Sequence, residues 1–318
     1  MSRPTVSVCI VTCNQPDLIA QCVRSVLEQQ ADADVTILVG DDASDDGTSE
    51  IVASLAAEHP CRIRHIRHEP RVGAFANMRD LIARADGDFV ARVDGDDYWL
   101  PGKLQRQVDY LQAHPDCAAV YTNAITMDEG GKRIGLFNDV GDARFDLAAM
   151  LRRGNFLNNS SVLFRDAGRN AWLDVDVPQI DYRVHLWHAQ RGWIGHIGEP
   201  LAAYRVATQG SMVSGMNERV RELYWEAIQS VPHERVSDGD YARGIADFLR
   251  RVFFRALRTR QSQLLRDWHA RVLAASPYGG LRTNALALAS ILRIAWKEAA
   301  GRFKRDADGQ RVRVLYRR

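Results

Sequence analysis

Three carboxylates follow one short apolar stretch of the sequence, and their chemistry suits a bound divalent cation. The stretch runs from Phe89 to Val93, and Asp94, Asp96 and Asp97 come directly after it. An apolar run of this length predicts a strand that is buried on both faces. In open α/β sheets ligands bind beyond the carboxyl ends of such strands, and hard cations such as Mg²⁺ and Mn²⁺ prefer oxygen ligands. An acidic turn that only solvates a strand end is equally consistent with these residues alone.

A second acidic pair, Asp41 and Asp42, follows another predicted strand, Val35 to Val39. If both strands belong to one parallel sheet, the two acidic clusters line the same crevice. Like charges brought together in this way need a cation or hydrogen-bond donors to offset their repulsion. The second pair therefore favours a ligand site over a solvated turn.

The elements that position these carboxylates alternate regularly between strand and helix. Apolar runs predict strands over 5–11, 35–39, 62–67, 89–93 and about 118–121, and apolar residues at three- and four-residue spacing predict helices over 16–29, 49–57, 78–85 and 101–113. This order predicts a parallel sheet covered by helices on both faces. No GxGxxG motif follows the first strand, which argues against a dinucleotide-binding module.

The composition is that of a soluble globular chain, with 46% hydrophobic and 26% charged residues among 318. The first residues lack the pattern of a signal peptide, and no window approaches 18 consecutive apolar residues, so we expect a cytoplasmic protein. Five cysteines without a CxxC pair predict free thiols and not a zinc or disulfide framework.

Three stretches together resemble one known family. VSVCIVTCNQPDLIAQCVRSVLEQ, ILVGDDASDDGT and VGAFANMRDLIARADGDFVARVDGDDYW occur in the order seen in the nucleotide-sugar domain of glycosyltransferase family 2. The resemblance is strong over 5–125 and weaker over 155–215. It implies an α/β fold of the GT-A type, with a mostly parallel sheet flanked by helices, and an inverting sugar transfer. It also implies a catalytic domain over 1–215, divided into a nucleotide-sugar half (1–125) and an acceptor-side half (126–215). From about Met216 the pattern turns helical, which predicts a basic helical region over 216–318.

The same resemblance implies roles for individual residues of the donor half. Residues matched to the binding of the nucleotide-sugar donor are Thr12, Asn14, Asp41, Asp42, Asn77 and Asp94. Asp96 matches the carboxylate that binds a divalent metal, Mn²⁺ or Mg²⁺, and Asp97 is expected to cap the following turn. The arginine that often precedes the matched asparagine is Ala76 here, so the diphosphate lacks one expected cation unless Arg71 or Arg79 replaces it.

The acceptor-side half supplies one candidate general base, Asp181, which matches the second residue of the family's Glu-Asp pair. The first residue of that pair is Ile180 here. A general base must lie within hydrogen-bond reach of the hydroxyl that it deprotonates, and apolar neighbours raise a carboxyl pKa toward useful values. A helix-capping role is the alternative for Asp181.

Two further segments of this half resemble parts of the family. Asn155 to Phe164 resembles a strand on the acceptor side, with Asn158, Asn159 and Ser160 as candidate hydroxyl contacts. The segment from Glu199 to Arg205, with 209–214, resembles one that closes over the donor, and Arg205 is a candidate phosphate ligand. His185, His188 and His196 lack metal-ligand spacing and are interpreted as structural or acceptor-side residues.

The C-terminal part differs in charge from the rest of the chain. Residues 250–318 hold 17 Lys and Arg against 4 Asp and Glu, a net charge of +13, whereas the remainder carries −11. Apolar spacing predicts helices over 241–273 and 284–303, and the second is followed by basic residues. Such helices pack on the catalytic domain, pair with another chain in a homo-oligomer, or lie on an anionic membrane through 284–318. No motif supports nucleic-acid binding.

Taken together, the residues and the resemblance predict a metal-dependent transfer of a sugar from a UDP- or dTDP-type donor. The acceptor is a hydroxyl of a glycan or lipid-linked molecule in surface polysaccharide synthesis. A catalytically silent nucleotide-sugar-binding protein of the same fold is the alternative, because two residues of the family's pattern are replaced. A nucleotidyltransferase is less consistent, since CNQPDL is not a Gly-rich, basic phosphate loop.

Overall fold

The computed structural model describes residues 3–128, 130–206, 218–301 and 313–316. The first part of the chain forms β1 (Thr5–Thr12), α1 (Ile19–Leu27), β2 (Asp34–Asp41), α2 (Thr48–Glu58), β3 (Ile63–Arg67), α3 (Ala74–Arg84), β4 (Phe89–Asp94), β5 (Tyr98–Trp99) and α4 (Lys103–Ala113). The middle part forms β6 (Cys117–Met127), β7 (Arg133–Asn138), β8 (Ala143–Phe145), α5 (Leu147–Arg153), β9 (Leu163–Arg165), α6 (Asn170–Leu173), α7 (Asp181–Ala189) and β10 (Trp193–Arg205). The last part forms α8 (Glu218–Gln229), α9 (Asp238–Thr259), α10 (Ser262–Ala275), α11 (Gly280–Gly301) and β11 (Val314–Tyr316).

A parallel sheet in the order β3-β2-β1-β4 forms the first half, as the strand and helix pattern predicts. Alternate residues of its strands serve two different cores: Val8 packs in one with the apolar face of α1, and Cys9 packs in the other with α3. Both faces of the sheet are therefore buried, and the strand ends are left as the place where polar side chains collect.

Short antiparallel strands join this half to the second. β9 pairs antiparallel with both β4 and β6, and β10 runs parallel to β6 along most of its length. The loop before β9, with a turn of 3-10 helix at Asn159–Ser161, is thereby held beside the end of β4. This arrangement brings the second half of the chain to the acidic strand end of the first.

Three features of the second half differ from the sequence predictions. The helix predicted over 241–273 is two helices, α9 and α10, separated where Arg260 takes a left-handed conformation with φ 57°. The strand predicted within 155–164 is confined to β9. The C-terminal region is helical as predicted, but it ends in β11, which pairs parallel with β7 and so joins the main sheet.

The C-terminal helices pack on the preceding part of the chain through α9. This helix contacts α5, α10 and α11, and Ile245, Phe248 and Val252 on its inner face are buried in one of the two cores. The predicted boundary between 215 and 216 lies outside the described residues. No helix in the ranges described is long and apolar enough to cross a membrane.

Candidate active site

A cavity of about 480 Å³ lies at the carboxyl ends of β1 and β4. The sequence-predicted residues that line it are Thr12, Asp42, Asn77, Asp94, Asp96, Asn158, Asn159, Ser160, Asp181 and Arg205. Asn14 and Asp41 are not among its lining residues. The fold thus gathers residues from both halves of the chain around one space.

The turn after β4 presents two carboxylates to this cavity because Gly95 separates them. The Gly95 amide donates to the Val11 carbonyl over 2.9 Å, and a β-carbon at this position would lie 2.9 Å from that carbonyl oxygen and 2.6 Å from Gln15 Oε1. Only a residue without a side chain lets the turn fold this tightly against β1. Asp94 keeps 34% of its side chain exposed, and Asp96 also lines the cavity.

Asp97, the third carboxylate, lies behind the cavity and is only 1% exposed. It accepts hydrogen bonds from the Ser160 hydroxyl and, over 2.9 Å, from the Arg205 amide. Burial raises the pKa of Asp97 well above its ordinary range, and the neighbouring Asp96 and Asp94 raise it further. Asp97 therefore joins the turn after β4 to β10 and to the loop before β9.

Arg92 is a charged cavity residue that the sequence predictions did not include. Its guanidinium donates from Nη2 to Asp94 Oδ1 over 2.9 Å and from Nη1 to Asp181 Oδ1 over 3.1 Å. Successive side chains of a strand point to opposite faces, so Arg92 and Asp94 share one face of β4. That two-residue spacing is the signal that could have identified Arg92.

Asp181 is the first residue of α7, and 37% of its side chain is exposed. Its Oδ1 accepts from Arg92 and, over 2.7 Å, from Asn159 Nδ2. Burial raises the pKa of Asp181, while Arg92 opposes this rise and Asp94 adds to it. A carboxylate that is partly exposed in a cavity and has a raised pKa is suited to accept a proton.

Asp42 and Asp41 both organise loops at the end of β2. Asp42 accepts from the Val72 amide over 2.6 Å and from the Gly73 amide over 2.9 Å, which fixes the loop before α3 while Asp42 still lines the cavity. Asp41 is fully buried and accepts from the Ser44 amide over 3.0 Å. Burial pushes the pKa of Asp41 up, but the polar Ser44, Ser49 and His65 side chains beside it and the Ser44 amide outweigh burial and lower the pKa. A contact between Asp41 and the nucleotide-sugar donor stays a prediction.

Three other residues that were predicted to bind the nucleotide-sugar donor also form hydrogen bonds with neighbouring residues. Asn77 Nδ2 donates to the Gly40 carbonyl over 2.8 Å, and the asparagine is 1% exposed. Thr12 donates to Gln15 Oε1 over 2.9 Å. Asn14, in a left-handed conformation, is exposed and exchanges two hydrogen bonds with Asp45, Nδ2 to Oδ1 at 2.9 Å and the Asp45 amide to Oδ1 at 3.2 Å.

The cationic residues of the cavity are Arg92 and Arg205. Arg205 is 7% exposed; it donates to the Asp96 carbonyl and, over 2.6 Å, to Gln21 Oε1. Arg71 and Arg79, considered as substitutes for the missing family arginine, do not line the cavity. Arg71 donates to the Asp42 carbonyl over 3.1 Å, and Arg79 pairs with an exposed carboxylate of the loop before α7.

An aromatic wall closes one side of the cavity. It consists of Phe137 on β7, Tyr204 on β10 and Tyr316 on β11, and the Phe137 ring centroid lies 5.2 Å from that of Tyr204 and 5.0 Å from that of Tyr316. The C-terminal strand therefore contributes to the site, which no local pattern in the sequence indicates. Segment 209–214, expected to close over the donor, lies outside the described residues.

The carboxylates fit a divalent cation that is bound together with a nucleotide. In the part of the chain that the structure describes, no three His, Cys, Asp or Glu residues are grouped so as to hold a metal alone. Mg²⁺ at nucleotide sites needs only one or two protein carboxylates, because phosphate oxygens and waters complete its shell. Asp96, on the turn after β4, lines the cavity and is a carboxylate of that kind.

Solved structures show which class of fold this is. The TarS fragment 1–349 of S. aureus, solved in complex with UDP-GlcNAc, superposes with a TM-score of 0.66 at 15% identity, over 95% of this chain and 93% of that one. The mannosyltransferase PcManGT of Pyrobaculum calidifontis, in complex with GDP-Man and Mn²⁺, gives a TM-score of 0.50 at 20% identity, over 95% and 81% of the chains. The fold is the GT-A fold, as predicted.

The sequence comparison identifies the family within this class. The model of glycosyl transferase family 2 matches residues 7–166, half of the chain. The chain belongs to glycosyltransferase family 2, which confirms the resemblance of the three motifs.

Curated relatives extend the similarity beyond the matched domain. The protein Rv1520 of Mycobacterium tuberculosis is 31% identical over 222 residues, which are 69% of this chain and 63% of that protein. The amylovoran biosynthesis glycosyltransferase AmsE of Erwinia amylovora is 27% identical over 195 residues, 59% of this chain and 68% of AmsE. The chain thus spans a little less than two thirds of the length of Rv1520.

Proposed function

We propose that this protein is an inverting glycosyltransferase that moves a sugar from a nucleoside-diphosphate donor of the UDP or dTDP type to a hydroxyl of a glycan or lipid-linked acceptor. The observation that carries the proposal is that Asp94, Asp96 and Asp181 line one cavity although they come from opposite halves of the chain. The name of AmsE, an amylovoran biosynthesis glycosyltransferase, supports a place in surface polysaccharide synthesis, and the UDP-GlcNAc complex of TarS supports a UDP-type donor.

The chemistry requires three separate tasks, one for each of these residues. Asp181 accepts the proton of the acceptor hydroxyl, whose oxygen attacks the anomeric carbon from the face opposite the nucleotide while the sugar–phosphate bond breaks. Asp94 orients the donor sugar at the end of β4. Asp96 holds the divalent cation, Mn²⁺ or Mg²⁺, which when bound offsets the negative charge that develops on the leaving diphosphate.

A nucleotide panel tests the donor part of the proposal. UDP, dTDP and GDP and their sugars are added to the protein with Mn²⁺, with Mg²⁺ and with a chelator, and the melting temperature is recorded, since a ligand that binds only the folded state raises it. We expect stabilisation by one UDP or dTDP compound that depends on the cation. No stabilisation by any of these compounds would contradict the proposal.

A transfer assay with the donor that binds separates the enzyme from a silent binding protein. Ala76 and Ile180 replace an arginine and a glutamate of the family's pattern, and this replacement favours the alternative of a catalytically silent binding protein. Release of nucleoside diphosphate in the presence of glycan or lipid-linked acceptors, with inversion at the anomeric carbon seen by NMR, supports the enzyme. Donor binding without transfer or hydrolysis across the acceptor panel supports the binding protein.

We also propose that α11 places the protein on an anionic membrane surface. An apolar stripe on this helix is exposed to solvent, comprising Leu281 (92%), Leu288 (56%), Leu292 (61%) and Trp296 (76%). Arg282 and Arg293 on the same helix are also exposed, and the region from 250 onward carries a net charge of +13. An amphipathic helix with basic neighbours binds anionic lipid by both apolar burial and charge. Of the predicted segment 284–318, residues 302–312 and 317–318 lie outside the described residues.

Vesicle binding tests this surface directly. The full chain is sedimented with phosphatidylcholine vesicles that contain or lack phosphatidylglycerol, and the double variant Leu292→Gln/Trp296→Gln is compared with Val177→Gln, which alters an exposed apolar residue elsewhere. We expect the wild type and Val177→Gln to bind the vesicles that contain phosphatidylglycerol and not those that lack it. The double variant should bind neither kind of vesicle. Self-association of the wild type through the same residues, without vesicle binding, would instead indicate a homo-oligomer interface.

A further inference from the structure

We propose that Arg92 is a positioning residue for the transfer reaction, which holds Asp181 with a single oxygen turned to the acceptor and ties this base to the donor carboxylate Asp94. The inference rests on the proposed function for the role of Asp181. Its structural part, the link between the two carboxylates, is testable without any substrate.

The two contacts of Arg92 use different nitrogens of one guanidinium. Nη2 reaches Asp94 Oδ1 at 2.9 Å, and Nη1 reaches Asp181 Oδ1 at 3.1 Å. The planar fork of an arginine offers donors in two fixed directions, whereas a lysine offers one compact ammonium group. Arg92 can therefore bridge two carboxylates that lie on separate elements, β4 and α7, and a lysine of the same charge cannot do so equally well.

The contacts on Asp181 select which of its oxygens is available. Oδ1 accepts both from Arg92 Nη1 and from Asn159 Nδ2, at 3.1 and 2.7 Å. More than a third of the side chain is nevertheless exposed in the cavity. With Oδ1 occupied by two donors, Oδ2 is the oxygen that takes the proton from the acceptor hydroxyl.

Arg92 is itself held in place on several sides. It lies within β4, which is paired with β1, and its side chain is only 12% exposed. The guanidinium carbon lies 5.2 Å from the ring centroid of Trp172 on α6. The strand, the aromatic ring and the two carboxylates leave the Arg92 side chain little freedom. Because Arg92 is fixed in this way, it also fixes the position of Asp181.

The charge of Arg92 also acts on the base. The groups that face Asp181 are Arg92 and Asp94 from β4, Asn159 from the loop before β9 and, through longer-range interactions, the buried Tyr121 from β6, while His185 on α7 faces Arg92. Among these groups Arg92 is the one whose positive charge lowers the pKa of Asp181. Loss of this charge leaves the hydrogen bond from Asn159 to oppose burial and Asp94, so the pKa of the base rises further.

Three variants distinguish the positioning of Asp181 by Arg92 from the effect of the Arg92 charge and from a general loss of protein stability. Arg92→Lys keeps the charge but not the fork, and Arg92→Gln removes both. Arg165→Gln is the matched control: Arg165 lies on the neighbouring strand β9, is paired with Phe89 at the far end of β4, and donates to the backbone carbonyls of Leu111, His114 and Cys117.

The first readout is the ¹³C carboxyl titration of Asp181, assigned through the signal that is lost in Asp181→Asn. We expect Arg92→Gln to move this titration to higher pH, Arg92→Lys to leave it near the wild-type position, and Arg165→Gln to leave it unchanged. An unmoved titration in a folded Arg92→Gln protein overturns the link. If Arg92→Gln does not fold, a changed chemical shift of the Asp181 carboxyl in Arg92→Lys supports the link, and an unchanged one overturns it.

The second readout is transfer with the donor and acceptor found above. We expect kcat to fall about tenfold or more in Arg92→Lys, because small displacements of a base are costly, while nucleotide binding stays within about threefold of the wild type. An unchanged kcat in Arg92→Lys overturns the positioning role. Absence of transfer in the wild type contradicts the proposed function instead, and the carboxyl titration then still decides whether Arg92 couples the two carboxylates.

Discussion

Gly135 on β7 packs directly against the backbone of Arg313, and a β-carbon at position 135 would overlap with the Arg313 carbonyl group. The same carbonyl accepts a hydrogen bond of 2.8 Å from the Leu136 amide. This contact begins the parallel pairing of β11 with β7, which continues to Tyr316 opposite Asn138. The absence of a side chain at 135 therefore allows the C-terminal strand to join the sheet and bring Tyr316 to the cavity wall.

The substitution Gly135→Ala is expected to release β11 from β7, because its methyl group occupies the space of the Arg313 carbonyl. Hydrogen exchange measured by mass spectrometry should be about tenfold or more faster in peptides from β7 and β11, as local opening becomes easier. Gly141→Ala is the control, since a β-carbon at Gly141 meets no atom within 4 Å. Unchanged exchange in β11 of the Gly135→Ala variant would show that this close contact does not govern docking.

The first half of the fold was predictable because its signals are local. Apolar runs such as Phe89 to Val93 mark strands that are buried on both faces, and the spacing of Ile19, Cys22, Val23 and Val26 marks one helix face. The carboxylates at the strand ends follow from the same pattern, since parallel strands place their carboxyl ends at one edge. The family motifs then supplied Asp181, which no local signal connects with Asp94.

The features that were missed depend on contacts between distant segments. The pairing of β11 with β7 and the break at Arg260 are fixed by tertiary packing and not by local propensity, so the sequence pattern alone predicted only helices there. Likewise, a carboxylate that fastens a loop and one that meets a ligand have the same chemistry. Asp42 and Asp97 show this, because their partners are backbone amides and a hydroxyl that only the folded chain brings near.

The buried histidine His188 is expected to make the fold less stable in acid. Burial, with Arg191 adding, lowers the pKa of His188 from the ordinary 6.5 to about 3, so the folded state holds the ring neutral. This contribution is fully present above pH 6.5 and is lost as the pH falls toward 3, because only the unfolded chain takes up the proton. Between pH 6.5 and 5 the free energy of unfolding should fall by about 2 kcal/mol through this residue.

Urea unfolding of His188→Leu at several pH values measures this contribution. Leucine is close to histidine in size and does not titrate, so the decrease in stability from pH 7 to 5 should be smaller than in the wild type. His233→Leu, which replaces an exposed histidine, should follow the wild type. Parallel pH curves for His188→Leu and the wild type would show that His188 does not contribute as a buried neutral ring.

Asp96 is expected to govern the cation dependence of donor binding. Asp96→Asn removes a negative oxygen ligand from the cavity, so calorimetric titration with the donor and Mn²⁺ should show affinity reduced about tenfold or more, whereas titration in a chelator should match the wild type. Glu50→Gln, on the exposed side of α2, is the charge-matched control. Equal affinity of the wild type with and without the cation would contradict a metal role for Asp96.

Asp181→Asn separates proton transfer from every other role of this residue. The amide oxygen of asparagine can still accept from Arg92 and Asn159, but the side chain cannot take the acceptor proton. The transfer rate should therefore fall by about 10²–10⁴-fold, the usual contribution of a general base, while donor affinity and melting temperature change little. Asp176→Asn, five residues earlier in the chain and 85% exposed, should keep the wild-type rate. If Asp181→Asn retains that rate, another group accepts the proton. If the rate is lost together with donor affinity, Asp181 belongs to the donor half instead.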